Sequence, residues 1–352
     1  MEALILKAVV SLLPVIACLA VFEWVDAFKL VNGRDVVLLL AGGAMLAGAA
    51  FLTNGGVLDR FPMPASAYSS FVAPIVEETL KAALVVALFA FNRIGYLIDA
   101  AIAGFAIGAG FAMAENLFFL HQFMTANLGV SVVRGFGTAI MHGGATAIMS
   151  VLSMTLYAPR LRESADRFHF NPLLFVPGLL AAILLHGAFN HFQDQSLIAM
   201  AVVLLAAPLS LFAIFGLGET YAHRWLAEDR AAHAQLLADL RSGAFAASEG
   251  GRALAALAAR MKPAAARDLF DYVRANVELV VRADATLLAL EAHEKVALDA
   301  SVRQELHYLH ALERRLGRST VLAVRQHLHV SRDDLWKLHE LEDDAGRRGL
   351  RI

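Results

Sequence analysis

Eight side chains in an otherwise apolar stretch could do chemistry: Glu77, Glu78, Lys81, Glu115, Asn116, His142, His186 and Asn190. Carboxylates and imidazoles can accept protons, donate them or ligate a metal, and amides or imidazoles can stabilise a developing oxyanion. Spacing groups the residues further. Glu77 and Lys81 are i,i+4, Glu78 and Lys81 are i,i+3, and His186 and Asn190 are again i,i+4, so the members of each pair share a helix face. One carboxylate can then neutralise Lys81 while the other serves as a base. Pro74 lies just before the acids and removes one backbone hydrogen bond, which permits a kink where water can enter. Two routes are open: a glutamate-activated water with His or Asn donors holding the oxyanion, or a metal bound by His142, His186 and a glutamate. Both end in hydrolysis of an amide, and spacing does not choose between them.

The elements that must position these groups are long apolar runs. They fall at about 3–23, 35–53, 70–91, 97–120, 130–158, 173–193 and 196–217, each long enough for a hydrocarbon layer of ~30 Å. Seven transmembrane helices are expected, and the absence of alternation excludes barrel strands. Lys29, Arg34, Arg93, Arg160, Arg162 and Arg167 fall in the first, third and fifth loops, against Arg60 alone in the others, with Arg134 at a span edge. Basic residues are retained in the cytoplasm, so the N-terminus is expected outside and the C-terminal part inside. At ~1.5 Å per residue, Glu77, Glu115 and His186 then lie roughly 8 to 11 Å below the outer surface, and His142 near ~18 Å. Charges at membrane depth cost at least ~2.5 kcal/mol each, so an agreement in depth points to one shared site.

Composition divides the chain of 352 residues in two. Residues 1–218 carry 10 Lys/Arg and 12 Asp/Glu, whereas residues 219–352 carry 20 of each, which separates a transmembrane domain from a charged domain of zero net charge. A soluble enzyme, a disordered chain and a nucleic-acid binder driven by overall charge are disfavoured together. The single cysteine, Cys18, excludes an internal disulfide and a cysteine-built zinc site, while Val15-Ile16-Ala17-Cys18 permits an alternative reading as a processed lipoprotein leader. A break at Gly216-Leu217-Gly218 is expected to precede a small α-helical cytoplasmic domain, in which Ser331 begins a helix with Asp333 and Asp334 at its positive end. Thr320 to Leu341 has the look of two short helices. Gly104, Gly108 and Gly110 fit close helix packing.

Several known hydrolytic signatures are missing. His293-Glu294 and His339-Glu340 do not continue into His-Glu-x-x-His, and no span holds Gly-x-Ser-Gly or a Tyr-Asp with Gly-x-Gly-Asp. What is present, Glu77-Glu78-Thr79-Leu80-Lys81, Phe111-Ala-Met-Ala-Glu115-Asn116, His142 and His186-Gly-Ala-Phe-Asn190, resembles the four ordered motifs of the PrsW family of intramembrane proteases. The similarity covers about residues 70–193. Related CAAX prenyl endopeptidases carry paired acids and similar histidine motifs. The resemblance implies an all-α membrane protease in which Glu77 and Glu78 are base and supporting acid. It implies catalytic or ligand roles for His142, His186, Glu115 and Asn190, with His142, His186 and Glu115 as the zinc ligands if a metal is used. Lys81 and Asn116 support them. The expected protein is a multi-pass endopeptidase of the bacterial inner membrane that cuts membrane-anchored proteins near the outer leaflet. Residues 219–352 are expected to meet a cytoplasmic protein partner and no nucleic acid. A proton-coupled transporter and a noncatalytic membrane scaffold are the competing readings.

Overall fold

The structure is a computed structural model that describes residues 2–25, 33–123, 125, 127–161, 169–192, 195–291, 300–328 and 330–348. Lys29, Arg162, Arg167 and His293-Glu294 lie outside the described residues. Those described are helical and include no strand. The first helices are α1 (Glu2–Val25), α2 (Gly33–Arg60), α3 (Ala65–Ala67), α4 (Ala73–Ala90), α5 (Leu97–Gln122), α6 (Leu128–Val133), α7 (Ala139–Leu161), α8 (Val176–His191) and α9 (Ser196–Ser242). They are followed by α10 (Glu249–Ala258), α11 (Pro263–Glu291), α12 (Ala300–Leu316), α13 (Arg318–His327) and α14 (Arg332–Arg348). Two π-helical turns, Tyr68–Val72 and Arg134–Thr138, lead directly into α4 and α7. The chain forms two compact units, Met1–Tyr157 with Phe170–Glu219, and Ala158–His169 with Thr220–Ile352.

Helix α5 is the axis of the first unit. Its residues from Ile98 to Ala112 are buried without interruption, as a helix that is apolar on every face requires. Helices α1 and α2 pack against it. The approach of α7 depends on absent side chains: a Cβ at Gly108 would stand 2.2 Å from the His142 carbonyl oxygen. Likewise, a Cβ at Gly110 would stand 2.0 Å from that of Leu40 on α2. The expected packing role of these glycines is therefore what the backbone demands. Outward-facing Met45, Leu52 and Leu184 are more than two-thirds exposed, the surface of a bundle made for lipid.

Among the described residues, five helical segments are long and apolar enough to cross a membrane: Ile5–Phe22, Gly33–Arg60, Leu97–Gln122, Leu128–Arg160 and Pro172–His191. They coincide with five of the seven expected spans; the third and the last, on α4 and at the start of α9, are not among them. Helix α4 has 18 residues but carries Glu77, Glu78 and Lys81, and the apolar start of α9, Ser196–Ala207, is short. Helix α9 runs without interruption through Gly216-Leu217-Gly218, where the composition changes. A glycine costs only about 1 kcal/mol in a helix interior, too little to interrupt one of this length.

The second unit has its own core, built from residues such as Leu254 of α10, Leu269 and Tyr272 of α11, Leu312 of α12 and Val324 of α13. Ser331 caps α14 as its sequence suggests. Its hydroxyl accepts from the Asp334 N–H at 3.0 Å, and the Asp334 carboxylate accepts from the Ser331 N–H at 2.8 Å. Beneath that cap, the fully buried Lys337 ammonium pairs with Asp229 at 2.9 Å, Asp284 at 3.0 Å and Asp333 at 2.8 Å. His233 of α9 joins the cluster through Asp284 at 2.6 Å and Asp334 at 3.3 Å.

Burial pushes the Asp333 carboxyl up and Lys337 offsets this only in part, leaving it at about 7. Burial pushes the His233 imidazole down, but its hydrogen bond to Asp284 and the charges of Asp334 and Asp284 lift it above its ordinary value. Both groups hold their protons more tightly folded than unfolded. The stability they supply is complete below the unfolded values of 3.8 for Asp333 and 6.5 for His233, and it is lost as pH rises through the folded ones. The calorimetric transition of this unit, measured on full-length protein in detergent, should fall in temperature between pH 6 and pH 8.5. Lys337→Met should destabilise the unit by about 3 to 5 kcal/mol, because it leaves buried carboxylates without their cation. A transition indifferent to both changes would contradict this account.

Candidate active site

Helix α4 brings Glu78 and Lys81 to the same buried point, where both side chains are fully enclosed and their charged atoms meet at 2.5 Å. In an apolar bundle neither charge is tolerable alone, so the i,i+3 spacing is a condition of burial. Glu78 Oε1 also lies 2.8 Å from His186 Nδ1 on α8. Lys81 Nζ reaches His142 Nδ1 on α7 at 3.0 Å and stands 4.7 Å from the centre of the Phe111 ring. The two imidazoles meet edge to face, with centroids 4.6 Å apart. Three helices therefore converge on one ion pair. The depth estimate that set His142 apart from the other groups does not survive, because distance along a helix equals depth only when helices start level and untilted.

A second set of contacts closes the site around Glu115 of α5. One carboxylate oxygen meets His142 Nε2 at 2.9 Å and the other accepts from the Arg134 guanidinium at 2.7 Å. Arg134 also donates to Asn116 Oδ1 at 2.9 Å and lies 4.3 Å from the centre of the Phe119 ring. The Asn116 amide in turn donates to the carbonyls of Ser11 and Arg134. On the opposite side, Asn54 of α2 donates to Glu77 Oε1 at 3.2 Å, and its own side-chain oxygen accepts from the Tyr68 hydroxyl at 2.8 Å. Asn190 donates to the Ser69 carbonyl at 2.9 Å.

All eight residues singled out in the sequence thus belong to one neighbourhood, with separate duties. Arg134, Asn54 and Tyr68 were missed. Arg134 had a signal, since an arginine within an apolar run needs an anion, and Glu115 is the acid on the preceding span. Asn54 and Tyr68 had none, because a polar residue at a span end is ordinary.

The hydrogen bonds of the two histidines constrain their tautomers. An ammonium at Lys81 donates to His142 Nδ1, which places the imidazole proton on Nε2, facing Glu115. A proton on His186 Nδ1 bonds to Glu78 and leaves the Nε2 lone pair directed toward Glu77 Oε2, 3.9 Å away. Glu78 Oε2 is buried with no hydrogen-bond partner among the described residues. Ligand atoms of Glu77, His142 and His186 all lie within 4.8 Å of one another. That trio, rather than His142, His186 and Glu115, has the spacing of a metal site, because Glu115 is held on the far side of His142 by Arg134. A family model described as PrsW family intramembrane metalloprotease matches residues 34–216.

The chain belongs to the PrsW family. The matched stretch contains every residue of the site, Arg134 and Asn54 included, and leaves out residues 217–352. No curated protein and no solved structure matches the chain. Membership makes this a multi-pass membrane protease, and the trio of Glu77, His142 and His186 fits the metal that the family's description implies. His186 and Glu77 offer lone pairs directly, while His142 joins only if it yields its contact with Lys81 or with Glu115.

Arg134 is the fork that keeps Glu115 and Asn116 in register. Replacing it with methionine should lower proteolysis about 10- to 100-fold, the usual effect of losing a group that orients a reactive one. Arg134→Lys should restore only part, since an ammonium cannot reproduce the planar fork. Full activity in Arg134→Met, measured as cleavage rate per correctly inserted molecule, would show that Glu115 needs no such support.

Proposed function

We propose that this PrsW-family protein hydrolyses peptide bonds of membrane-anchored proteins near the outer leaflet of the bacterial inner membrane, with Glu77 as the base that activates water. The observation that carries this reading is the 3.9 Å separation between Glu77 Oε2 and His186 Nε2. Two acceptors at that distance suit one water that donates a hydrogen bond to each. Such a water is polarised toward hydroxide, and Glu77 is placed to take its proton as the oxygen attacks the scissile carbonyl. Glu78 acts through His186. Its carboxylate bonds to Nδ1, fixes the tautomer that turns the Nε2 lone pair toward the water, and has its own charge balanced by Lys81.

His142, whose Nε2 proton is bonded to Glu115, supplies a donor for the oxyanion and a proton for the leaving amine when it turns from that carboxylate. Glu77, His142 and His186 would hold a zinc ion, which when bound acts as a Lewis acid toward the scissile carbonyl. The second unit, with its balanced charge, is read as a cytoplasmic module for a protein partner.

Glu78→Gln and His186→Ala should each reduce cleavage by 100-fold or more while inserting normally. New protein N-termini in membranes of cells expressing the intact enzyme, absent with either variant, would identify the substrates. Identical N-termini with intact protein and with both variants would refute the mechanism.

A further inference from the structure

Pro74 stands three residues before Glu77, inside the first turn of α4. It brings no N–H to the backbone behind it. In an unbroken α-helix residue 74 donates to the carbonyl of residue 70, and in a π-helical turn to that of residue 69. The π turn is present here, because the Ala73 N–H reaches back to the Tyr68 carbonyl. The Ser69 carbonyl therefore loses both backbone donors, Ala73 to Tyr68 and residue 74 to proline.

Helix α8 repairs this entry. The Asn190 amide donates to Ser69 O at 2.9 Å. Three residues earlier, a Cβ on Gly187 would lie 2.8 Å from the Ser70 carbonyl oxygen and 3.9 Å from the Pro74 ring, so only glycine lets the α8 backbone close over the same turn. One turn before Asn190, His186 bonds to Glu78. The motif His186-Gly187-Ala188-Phe189-Asn190 thus grips α4 at its irregular entry and at its reactive acid together.

We propose that Asn190 is a positioning residue whose side-chain amide replaces the N–H missing at Pro74, fixing the entry of α4 and with it Glu77 and Glu78 against His186. Its amide is committed to a backbone carbonyl, which separates it from the direct catalytic or ligand role that the family resemblance implies. What is positioned rests on the proteolytic reading above; the replacement of one donor by another does not.

The test is a double-mutant cycle on the full chain in detergent, with Asn190→Ala and Pro74→Ala made singly and together. Asn190→Ala should lower the melting temperature and slow cleavage, since it strands a carbonyl within the bundle. Alanine at 74 restores a backbone N–H, so in the Pro74→Ala background the same asparagine change should cost less than half the melting shift it costs in the native background. The double variant should also cleave faster than Asn190→Ala alone. Equal melting penalties in both backgrounds would overturn the proposal. So would a double variant that regains its melting temperature yet remains as slow as Asn190→Ala, which would put the amide on the reacting atoms. If Asn190→Ala does not accumulate, Asn190→Ser keeps a short donor and completes the same cycle. The melting arm needs no substrate, so a chain that cleaves nothing would fail the proteolytic reading and still answer this one.

Discussion

The buried ion pair of Glu78 and Lys81 is the constraint on which the rest of the first unit depends. A carboxylate and an ammonium removed from water lose several kcal/mol of hydration each, and their mutual attraction restores it only when further polar contacts complete the geometry. Those contacts come from other helices: His186 to the carboxylate and His142 to the ammonium. Helices α4, α7 and α8 cannot separate without stranding a charge in an apolar bundle. The geometry on which the proposed mechanism rests and the packing of the bundle are in this sense the same requirement. It also explains why α5 must be so lean, since α7 can deliver His142 only by passing the Cα of Gly108.

The second unit solves a related problem with a different balance. There one ammonium, Lys337, faces four aspartates and a histidine, and the surplus of acid is moderated by a carboxyl that titrates near 7. In the first unit the polar groups are matched nearly one to one and arranged around a water- or metal-sized separation. Excess charge gives the C-terminal cluster a dependence on pH, whereas in the membrane unit the proposed mechanism assigns Glu77 and the His186 Nε2 lone pair to the reactant.

Much of this was legible in the residues. Charges are so costly within apolar runs that Glu77, Glu78, Lys81 and Glu115 stand out, and helical spacing alone pairs Lys81 with a neighbouring acid. Spacing could not say which acid. Glu77 is as well placed along the helix as Glu78, and the choice is made by the face α4 turns toward α7 and α8. Nor could the sequence assign the metal-like trio, because Glu115 is diverted by Arg134, an arginine at a span edge whose partner spacing alone does not name. The helix through Gly216 and Gly218 was hidden for a simpler reason: glycine weakens a helix without forbidding it.

The two π turns bear on how such a site can be both rigid and irregular. Each stands at the entry to a helix carrying reactive groups, Tyr68–Val72 before Glu77 and Glu78, and Arg134–Thr138 before His142. Each has a carbonyl engaged by an asparagine from another helix, Ser69 by Asn190 and Arg134 by Asn116. Backbone that departs from the α-helix is tolerated in a membrane only where protein rather than lipid satisfies it. An extra residue in a turn rotates everything on one side of it relative to the other, so an irregular entry sets which face of α4 or α7 looks inward. The asparagines belong to the same short motifs as Glu115 and His186. A motif that supplies both a reactive side chain and the amide that holds the neighbouring backbone couples chemistry to local fold within a few residues, without needing a long-range network to keep the two in step.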